Sequence, residues 1–99
     1  MNILLLCSAG MSTSLLVNRM YDAAKTKNID LHIEAHPASQ VLSYGDGADV
    51  ILLAPQVRFE LKNIKKKFPN KPVELIGMQE YGMMNGEKVI DLAVKLLNK

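Results

Sequence analysis

The sequence predicts an α/β protein: a four-stranded parallel sheet in strand order 2-1-3-4, with helices on both faces, forming an open three-layer sandwich. Two observations predict it. Short apolar runs alternate along the 99 residues with segments of helical period, in the order βαβαβαβα. The runs at residues 2–6 and 49–54 are nearly continuously apolar, which is typical of strands buried on both faces of a parallel sheet. Right-handed crossovers then leave few possible topologies.

The first strand is predicted at residues 2–6 and the first helix from Ser12 to about Lys27. In that helix Leu16 and Met20 fall on one side, as expected for a face that packs against a sheet. Asn28 is the expected stop of this helix.

The second strand is predicted at residues 30–35, where apolar and polar residues alternate, a pattern that favours a position near the sheet edge. Pro37 is expected to end this strand. A short helix at residues 38–44 follows, and the sequence Gly45-Asp46-Gly47 predicts a turn after it.

The third strand is predicted at residues 49–54, and Pro55 suits the start of the next helix. That helix has an apolar stripe and ends at Pro69; the stripe is Val57, Leu61, Ile64 and Phe68.

The fourth strand is predicted at residues 73–76 and a loop at residues 77–82. Asn85 is a good N-cap for a last helix, which carries apolar residues at helical spacing. These residues are Val89, Ile90, Ala93, Leu96 and Leu97.

The composition indicates one domain spanning residues 1–99, with 48% hydrophobic residues and a net charge of +2. This small charge does not indicate a nucleic-acid partner. No apolar stretch approaches the roughly 20 residues of a membrane span, and a single cysteine cannot form an internal disulfide. We therefore expect a cytoplasmic protein with no direct membrane insertion. No metal-ligand spacing is present, so no metal is predicted.

The lone cysteine, Cys7, follows the first strand, which is central in the predicted order. In such sheets ligands bind beyond the carboxyl ends of the strands, where the strand order reverses. A loop of small residues and the amide groups of a helix N-terminus can surround a phosphate there. The partial positive charge of the helix N-terminus also favours the thiolate form of a cysteine, which is the nucleophilic form. The predicted phosphate-binding residues are Ser8, Ala9, Gly10, Met11, Ser12, Thr13 and Ser14. A buried, purely structural cysteine is the alternative interpretation of Cys7.

Three motifs carry a resemblance to a known family. They are LLLCSAGMSTSLLVNRM at the front, ADVILLAPQV in the middle, and FPNKPVELI followed by YG. In these motifs the sequence resembles the enzyme IIB component of the bacterial phosphoenolpyruvate-dependent sugar phosphotransferase system, in the lactose/cellobiose/chitobiose family. The agreement in spacing extends along nearly the whole chain.

The resemblance implies a phosphoryl relay without a cofactor. A phosphohistidine of a IIA protein would donate to Cys7, and the phosphocysteine would pass the group to a β-disaccharide, of cellobiose, chitobiose or lactose type, bound by the membrane component IIC. Loop residues 8–14 would map onto the family's phosphate-binding loop. Candidates for partner docking are Met11, Pro55, Gln56 and Tyr81.

Two other classes of protein remain as alternatives. The loop resembles, more distantly, that of low-molecular-weight cysteine phosphatases. The first alternative is therefore a cysteine phosphatase or an arsenate-reductase-like enzyme. Those phosphatases carry arginine at the position of Thr13, and an Asp-Pro pair, which is absent here, supplies their general acid. A non-catalytic domain that binds an anion or a flavin is the second alternative, although an aromatic content of 5% offers little for flavin stacking.

Two further groups of residues have no assigned role. His32 and His36 share one face of the predicted second strand, and we expect solvent-facing or half-buried side chains without a catalytic function. The lysines between residues 62 and 71 form a run of charge. This run is either a solvated face or a surface for an acidic partner or anionic lipid.

Overall fold

The computed structural model describes residues 1–8 and 14–98. Four strands and five helices occur in these residues, with segments of 3₁₀ helix between some of them. The elements are β1 (Asn2–Cys7), α1 (Ser14–Thr26), β2 (His32–Pro37), α2 (Val41–Tyr44), β3 (Val50–Leu53), α3 (Leu61–Lys67), β4 (Val73–Leu75), α4 (Met78–Gly82) and α5 (Gly86–Leu97). None of these helices is long and apolar enough to cross a membrane.

The four strands form one parallel sheet in the order β2-β1-β3-β4, which confirms the predicted topology. Strand β1 pairs with β2 from Asn2 opposite His32 to Cys7 opposite Pro37, and on its other side with β3. The predicted edge position of β2 is also confirmed. Strand order reverses between β1 and β3, so the carboxyl end of β1 lies at the switch point of the sheet.

Both faces of the sheet are covered by helices, because successive residues of a strand point to opposite sides. Ile3, Leu5 and Cys7 of β1 join the cluster formed with α1 and α5, whereas Leu4 and Leu6 join the cluster formed with α2 and α3. All five side chains are at most 2% exposed. The near-continuous apolar runs of the sequence are thus explained by burial on two faces.

Asn28 ends the first helix as predicted. Its φ of 57° lies in the left-handed region. The Ile29 amide donates to the Ala24 carbonyl at 2.9 Å and the Asn28 amide to the Lys25 carbonyl at 3.3 Å. This pair of bonds satisfies carbonyls that the end of a helix otherwise leaves without a donor.

The second strand lies two residues later than predicted, at His32–Pro37 instead of residues 30–35. Its limits follow from pairing with β1, whose six residues each have a partner in β2. Pro37 is itself the last residue of β2, so the strand ends at the proline and not before it. Proline is tolerated there because β2 is an edge strand. Cys7 likewise belongs to β1 and does not begin the loop.

Three predicted segments have a different local structure. The helix predicted at residues 38–44 is divided into a 3₁₀ turn at Ala38–Gln40 and α2, and a second 3₁₀ turn at Gly45–Gly47 follows. The helix that starts at Pro55 is 3₁₀ up to Glu60, with a non-helical φ of −115° at Val57, before α3 begins. The loop predicted at residues 77–82 contains the short helix α4.

Asn85 is the N-cap of α5, as predicted: its Oδ1 accepts a hydrogen bond from the Lys88 amide at 3.1 Å. We expect Asn85→Ala to lower the free energy of unfolding by about 1 kcal/mol, because this amide loses its acceptor. Urea unfolding monitored by circular dichroism measures the change. Asn63→Ala, in the exposed middle of α3, is the matched control and should be neutral or slightly stabilising. Equal losses in both variants would contradict the capping role.

Candidate functional site

The carboxyl ends of three neighbouring strands come together at one edge of the sheet. The Ala54 amide donates to the Leu6 carbonyl at 2.8 Å, so the end of β3 lies beside the end of β1. The Ile76 amide donates in the same way to the Leu53 carbonyl at 2.9 Å. Cys7, Ala54 and Ile76 share the buried cluster on the α1 and α5 side. The segments that follow these strands therefore surround the position of Cys7.

Cys7 is the last residue of β1 and is 1% exposed. Its Sγ lies 3.8 Å from the backbone carbonyl oxygen of His36 on β2 and donates a weak hydrogen bond to it. The sulfur is therefore closed off from solvent in this structure. Burial of this kind also suits a structural cysteine, so position alone does not distinguish the two roles of Cys7.

Helix α1 begins at Ser14, which places its N-terminus close in sequence to Cys7. No acidic residue lies in the first turn of α1. The partial positive charge of the helix N-terminus is therefore not cancelled by a neighbouring carboxylate. Ser8 and Ser14 are both exposed. The predicted phosphate-binding residues between them, Ala9, Gly10, Met11, Ser12 and Thr13, lie outside the described residues.

The docking candidates after β3 and β4 occupy different environments. Pro55 is half-buried and Gln56 is exposed, and both lie in the 3₁₀ segment that follows β3. Tyr81 of α4 is only 6% exposed and belongs to the same buried cluster as Cys7. In this structure Pro55 and Gln56 are therefore more accessible to a partner than Tyr81.

Helix α1 is fixed against the beginning of α5. The Arg19 guanidinium donates from Nη1 to the carbonyls of Met83 and Met84, at 3.3 and 3.4 Å. Gly86, the first residue of α5, is buried against the backbone of Arg19 and Met20. These contacts set the direction in which the N-terminus of α1 points.

The two histidines of β2 form a cluster with Glu34. His36 Nε2 lies 3.1 Å from one carboxylate oxygen of Glu34 and His32 Nε2 lies 3.3 Å from the other. The His36 ring also stacks on Tyr44, with centroids 3.5 Å apart. His32 is exposed and His36 half-buried, as expected. The hydrogen bonds with His36 and then His32 hold the pKa of the Glu34 carboxyl below its usual value.

The lowered pKa of Glu34 has a consequence for stability. Because the folded-state pKa lies below the unfolded value of about 4.5, ionised Glu34 stabilises the fold above that pH, and this contribution is lost as the pH falls through the folded pKa. We expect the titration midpoint of the Glu34 carboxyl, followed by NMR, to lie below 4.5. His36→Phe should raise the midpoint and keep the stacking on Tyr44. An unchanged midpoint in His36→Phe would contradict the assigned cause.

The described residues do not assemble a metal site: within residues 1–8 and 14–98, no group of three His, Cys, Asp or Glu side chains is placed to hold an ion. A groove of about 790 Å³ lies at the opposite end of the sheet from Cys7. Ala48, Phe68, Pro72 and Leu97 are among the residues that line it. We assign the functional site to the Cys7 end, because ligands of doubly wound sheets bind beyond the strand carboxyl ends.

Sequence reasoning missed two features near this end. One is the His36 carbonyl, which accepts from the Cys7 thiol and depends on a strand pairing across 29 residues. The other is a set of exposed apolar side chains, Phe59 after β3 and Met78 after β4, which are 75% and 74% exposed. Phe59 could have been found, because it falls outside the apolar stripe of its own helix.

The fold and the position of Cys7 define a doubly wound α/β protein with a cysteine at the switch point of its sheet. Residues 2–92 match the family model described as "PTS system, Lactose/Cellobiose specific IIB subunit". The chain therefore belongs to the lactose/cellobiose-specific IIB family of the sugar phosphotransferase system, which confirms the resemblance. Such components act as phosphotransferases in sugar uptake and work with IIA and IIC partners.

Individual relatives support the same family. The galactose-specific EIIB component of Lactococcus lactis subsp. cremoris and the cellobiose-specific EIIB component of Lactococcus lactis subsp. lactis are each 43% identical to this chain. Each alignment covers 97% of this chain and 95% of the relative. The solution structure of a cellobiose-specific IIB component from Borrelia burgdorferi is 48% identical, with a TM-score of 0.83, and covers 99% of this chain and 92% of that one.

Proposed function

We propose that Cys7 is the phosphoryl acceptor of this IIB protein. In the first step the thiolate Sγ attacks the phosphorus of a phosphohistidine on a IIA partner. The P–N bond breaks, a P–S bond forms, and the leaving nitrogen takes up a proton, equivalent to the one that the Cys7 thiol has lost, so that neutral imidazole departs. In the second step a hydroxyl of a sugar held by a IIC partner attacks the same phosphorus. The S–P bond then breaks, the hydroxyl proton is released, and the thiolate is regenerated.

The observation that carries this proposal is the position of Cys7 at the carboxyl end of the central strand, in a member of the IIB family. The N-terminus of α1, which has no acid in its first turn, supplies a partial positive charge on the same side of the sheet. The backbone and hydroxyl groups of residues 8–14 are proposed to hold the phosphoryl oxygens. Both features would stabilise the negative charge of a phosphoryl group carried on Cys7.

The burial of Cys7 adds a condition to the proposal. A sulfur that is 1% exposed cannot meet a phosphohistidine unless the carboxyl end of β1 becomes accessible first. The weak hydrogen bond to the His36 carbonyl must also break, since a thiolate has no proton to donate. The resting thiol is thus protected, and transfer is coupled to the approach of a partner.

Partner docking is proposed at the surface around this end of the sheet. Pro55 and Gln56 supply accessible positions after β3. Met78, at the start of α4, supplies an exposed apolar side chain after β4. Met11 of the phosphate-binding loop and the buried Tyr81 of α4 complete the set of candidates. Exposed apolar groups of this kind are suited to a partner that covers the site during transfer.

The sugar is proposed only as a class, a β-disaccharide of cellobiose, chitobiose or lactose type. Two relatives with the same identity to this chain are named for different sugars, galactose and cellobiose. Similarity over the IIB chain therefore does not separate these substrates. We propose that the IIC partner selects the sugar, and that this chain transfers the phosphoryl group.

Phosphorylation by reconstituted partners tests the proposal. The protein is incubated with phosphoenolpyruvate, the general phosphotransferase proteins and a matching IIA, and peptide mass spectrometry locates the modified side chain. We expect the phosphoryl group on Cys7. Sustained hydrolysis of an aryl phosphate by the protein alone would instead favour the phosphatase alternative.

A further inference from the structure

The positive charge of the chain is concentrated in one segment. Residues 58–71 hold six of the twelve Lys and Arg residues, with Glu60 as the one acid among them. The rest of the chain has six basic and nine acidic residues, so its net charge is negative although the whole chain is +2. The segment is therefore a local positive field on an otherwise acidic molecule.

Helix α3 presents this charge to solvent. Its inner side is packed in the core, with Ile64 1% exposed and Phe68 7% exposed. Five exposed residues of α3 and of the 3₁₀ segment before it form an outward-facing group, in which Lys62 stands four residues after Arg58 and four before Lys66. We call them the basic face, and they are Arg58, Phe59, Lys62, Lys65 and Lys66.

The lysines of the basic face carry charge that no described carboxylate neutralises. Within residues 1–8 and 14–98, the ion pairs join Lys27 with Asp91 and Glu34 with His32 and His36. Lys71, which follows the helix, is different: its Nζ donates to the carbonyls of Asp46 and Ala48, at 3.0 and 2.6 Å. Lys71 is therefore a structural lysine and is not part of the face.

Phe59 lies within this charged surface and is 75% exposed, the largest exposed fraction among the exposed large hydrophobic side chains of the described residues. The exposure of an isolated phenylalanine side chain to water is energetically unfavourable. With Arg58 and Lys62 close to it along the chain, Phe59 completes the two components of a peripheral membrane surface: charges that attract anionic headgroups and an apolar group that enters the interface.

We propose that the basic face binds anionic phospholipid at the membrane surface. Protein interfaces are depleted in lysine and enriched in arginine, whereas this face has three lysines and one arginine. A diffuse layer of anionic headgroups needs no fixed pairing geometry, so flexible lysines suit it better than they suit a protein partner. The contact is peripheral, with Phe59 at headgroup depth and no chain spanning the bilayer.

The geometry also fits the proposed relay, although lipid binding does not depend on it. A helix that connects two parallel strands runs antiparallel to them. With α3 lying along a bilayer, the strands also run along the surface, and the Cys7 end of the sheet points sideways. If the proposed function holds, lipid binding would keep Cys7 close to the membrane in which its IIC partner is embedded.

Vesicle co-sedimentation of the whole chain tests the proposal. Vesicles contain either phosphatidylcholine alone or phosphatidylcholine with about 30 mol% phosphatidylglycerol, at about 50 mM salt, where screening is weak. We expect binding only to the anionic vesicles and release at about 300 mM salt. The double variant Lys62→Glu/Lys66→Glu should lower the partition coefficient by at least about thirtyfold, since the loss of each lysine near such a surface removes about fivefold and each introduced glutamate adds repulsion.

Matched variants on the opposite side of the sheet show whether vesicle binding depends on the basic face or only on the net charge of the protein. Lys88→Glu/Lys95→Glu, on exposed positions of α5, makes the same change in net charge and should keep most of the binding. Phe59→Ser should weaken binding about fivefold, whereas Leu15→Ser, at a side chain of α1 that is 49% exposed, should not. Circular dichroism confirms that each variant is folded.

Three results would overturn the proposal: no binding to anionic vesicles at low salt, an equal loss of vesicle binding in the two double variants, or binding that does not depend on the salt concentration. A slower phosphoryl transfer from IIA by Lys62→Glu/Lys66→Glu in vesicle-free solution, with vesicle binding unchanged, would assign the face to an acidic protein instead. Cys7→Ser should bind vesicles as the wild type does, so a failure of the relay and a failure of lipid binding are separate results.

Discussion

Cys7→Ser is expected to abolish phosphorylation of this protein by a IIA donor, with a loss of initial rate of about a thousandfold or more. A serine hydroxyl is far less ionised than a thiol at neutral pH, so the nucleophile is lost. The fold should be retained, because the hydroxyl is slightly smaller than the thiol and can donate to the same His36 carbonyl. Transfer of labelled phosphoryl from phosphoenolpyruvate through the general proteins and IIA measures the rate.

The control for this variant is Ser39→Ala, at an exposed position after β2 that has no part in the proposed transfer. It should be labelled at the wild-type rate. Labelling of Cys7→Ser at the wild-type rate, or a phosphoryl group mapped to another side chain such as His36, would assign a structural role to the buried cysteine. Urea unfolding of both variants shows whether a loss of labelling reflects a loss of fold.

Gly86→Ala is expected to have the largest effect on stability, lowering the free energy of unfolding by about 3 kcal/mol. A Cβ at this position would lie 2.5 Å from the Met20 amide nitrogen and 2.6 Å from the Arg19 carbonyl oxygen. Both atoms belong to the backbone of α1 and cannot rotate away as a side chain could. Helices α1 and α5 would therefore have to separate along the contact that covers one face of the sheet.

Gly47→Ala is the matched control, because a Cβ there would meet no atom within 4 Å. It should leave the free energy of unfolding nearly unchanged, and chemical unfolding of both variants under the same conditions gives the comparison. If Gly86→Ala unfolded at the denaturant concentration of the control, the close approach of the two helices would not be a determinant of stability.

The sheet could be predicted from the sequence because burial on two faces requires continuous apolar runs, and few other arrangements explain them. Helix ends were predictable where a single residue defines the end, as at Asn28 and Asn85. The limits of β2 were not, because they are set by pairing with β1 and not by the local alternation of residues. Strand register is a tertiary property that the segment itself does not encode.

The short helix α4 was missed because glycine occurs at residues 77 and 82 and five residues are too few to show a helical period. Its stability comes from packing, since Tyr81 is buried against the same cluster as Cys7. Tertiary contacts here outweigh local propensity. The burial of Tyr81, which is a docking candidate by resemblance, could not be read from the sequence for the same reason.

The position of Cys7 could be predicted, but its surroundings could not. The residue type and its place after an apolar run identify a strand end, and the strand order places that end at the switch point. The hydrogen bond to the His36 carbonyl depends on the register between two strands. The 3₁₀ segment at Pro55–Glu60, which carries Phe59, could not be predicted from the helical spacing either.

The bonds from Arg19 to the carbonyls of Met83 and Met84 link two parts of the molecule that border the cysteine. Helix α1 begins beyond β1, whereas the segment with Met83 and Met84 follows β4 and α4. A displacement of α1 would therefore be transmitted to Met83 and Met84, which precede α5, through the Arg19 guanidinium group. A contact that shifts either of these two segments would therefore also be felt by the other.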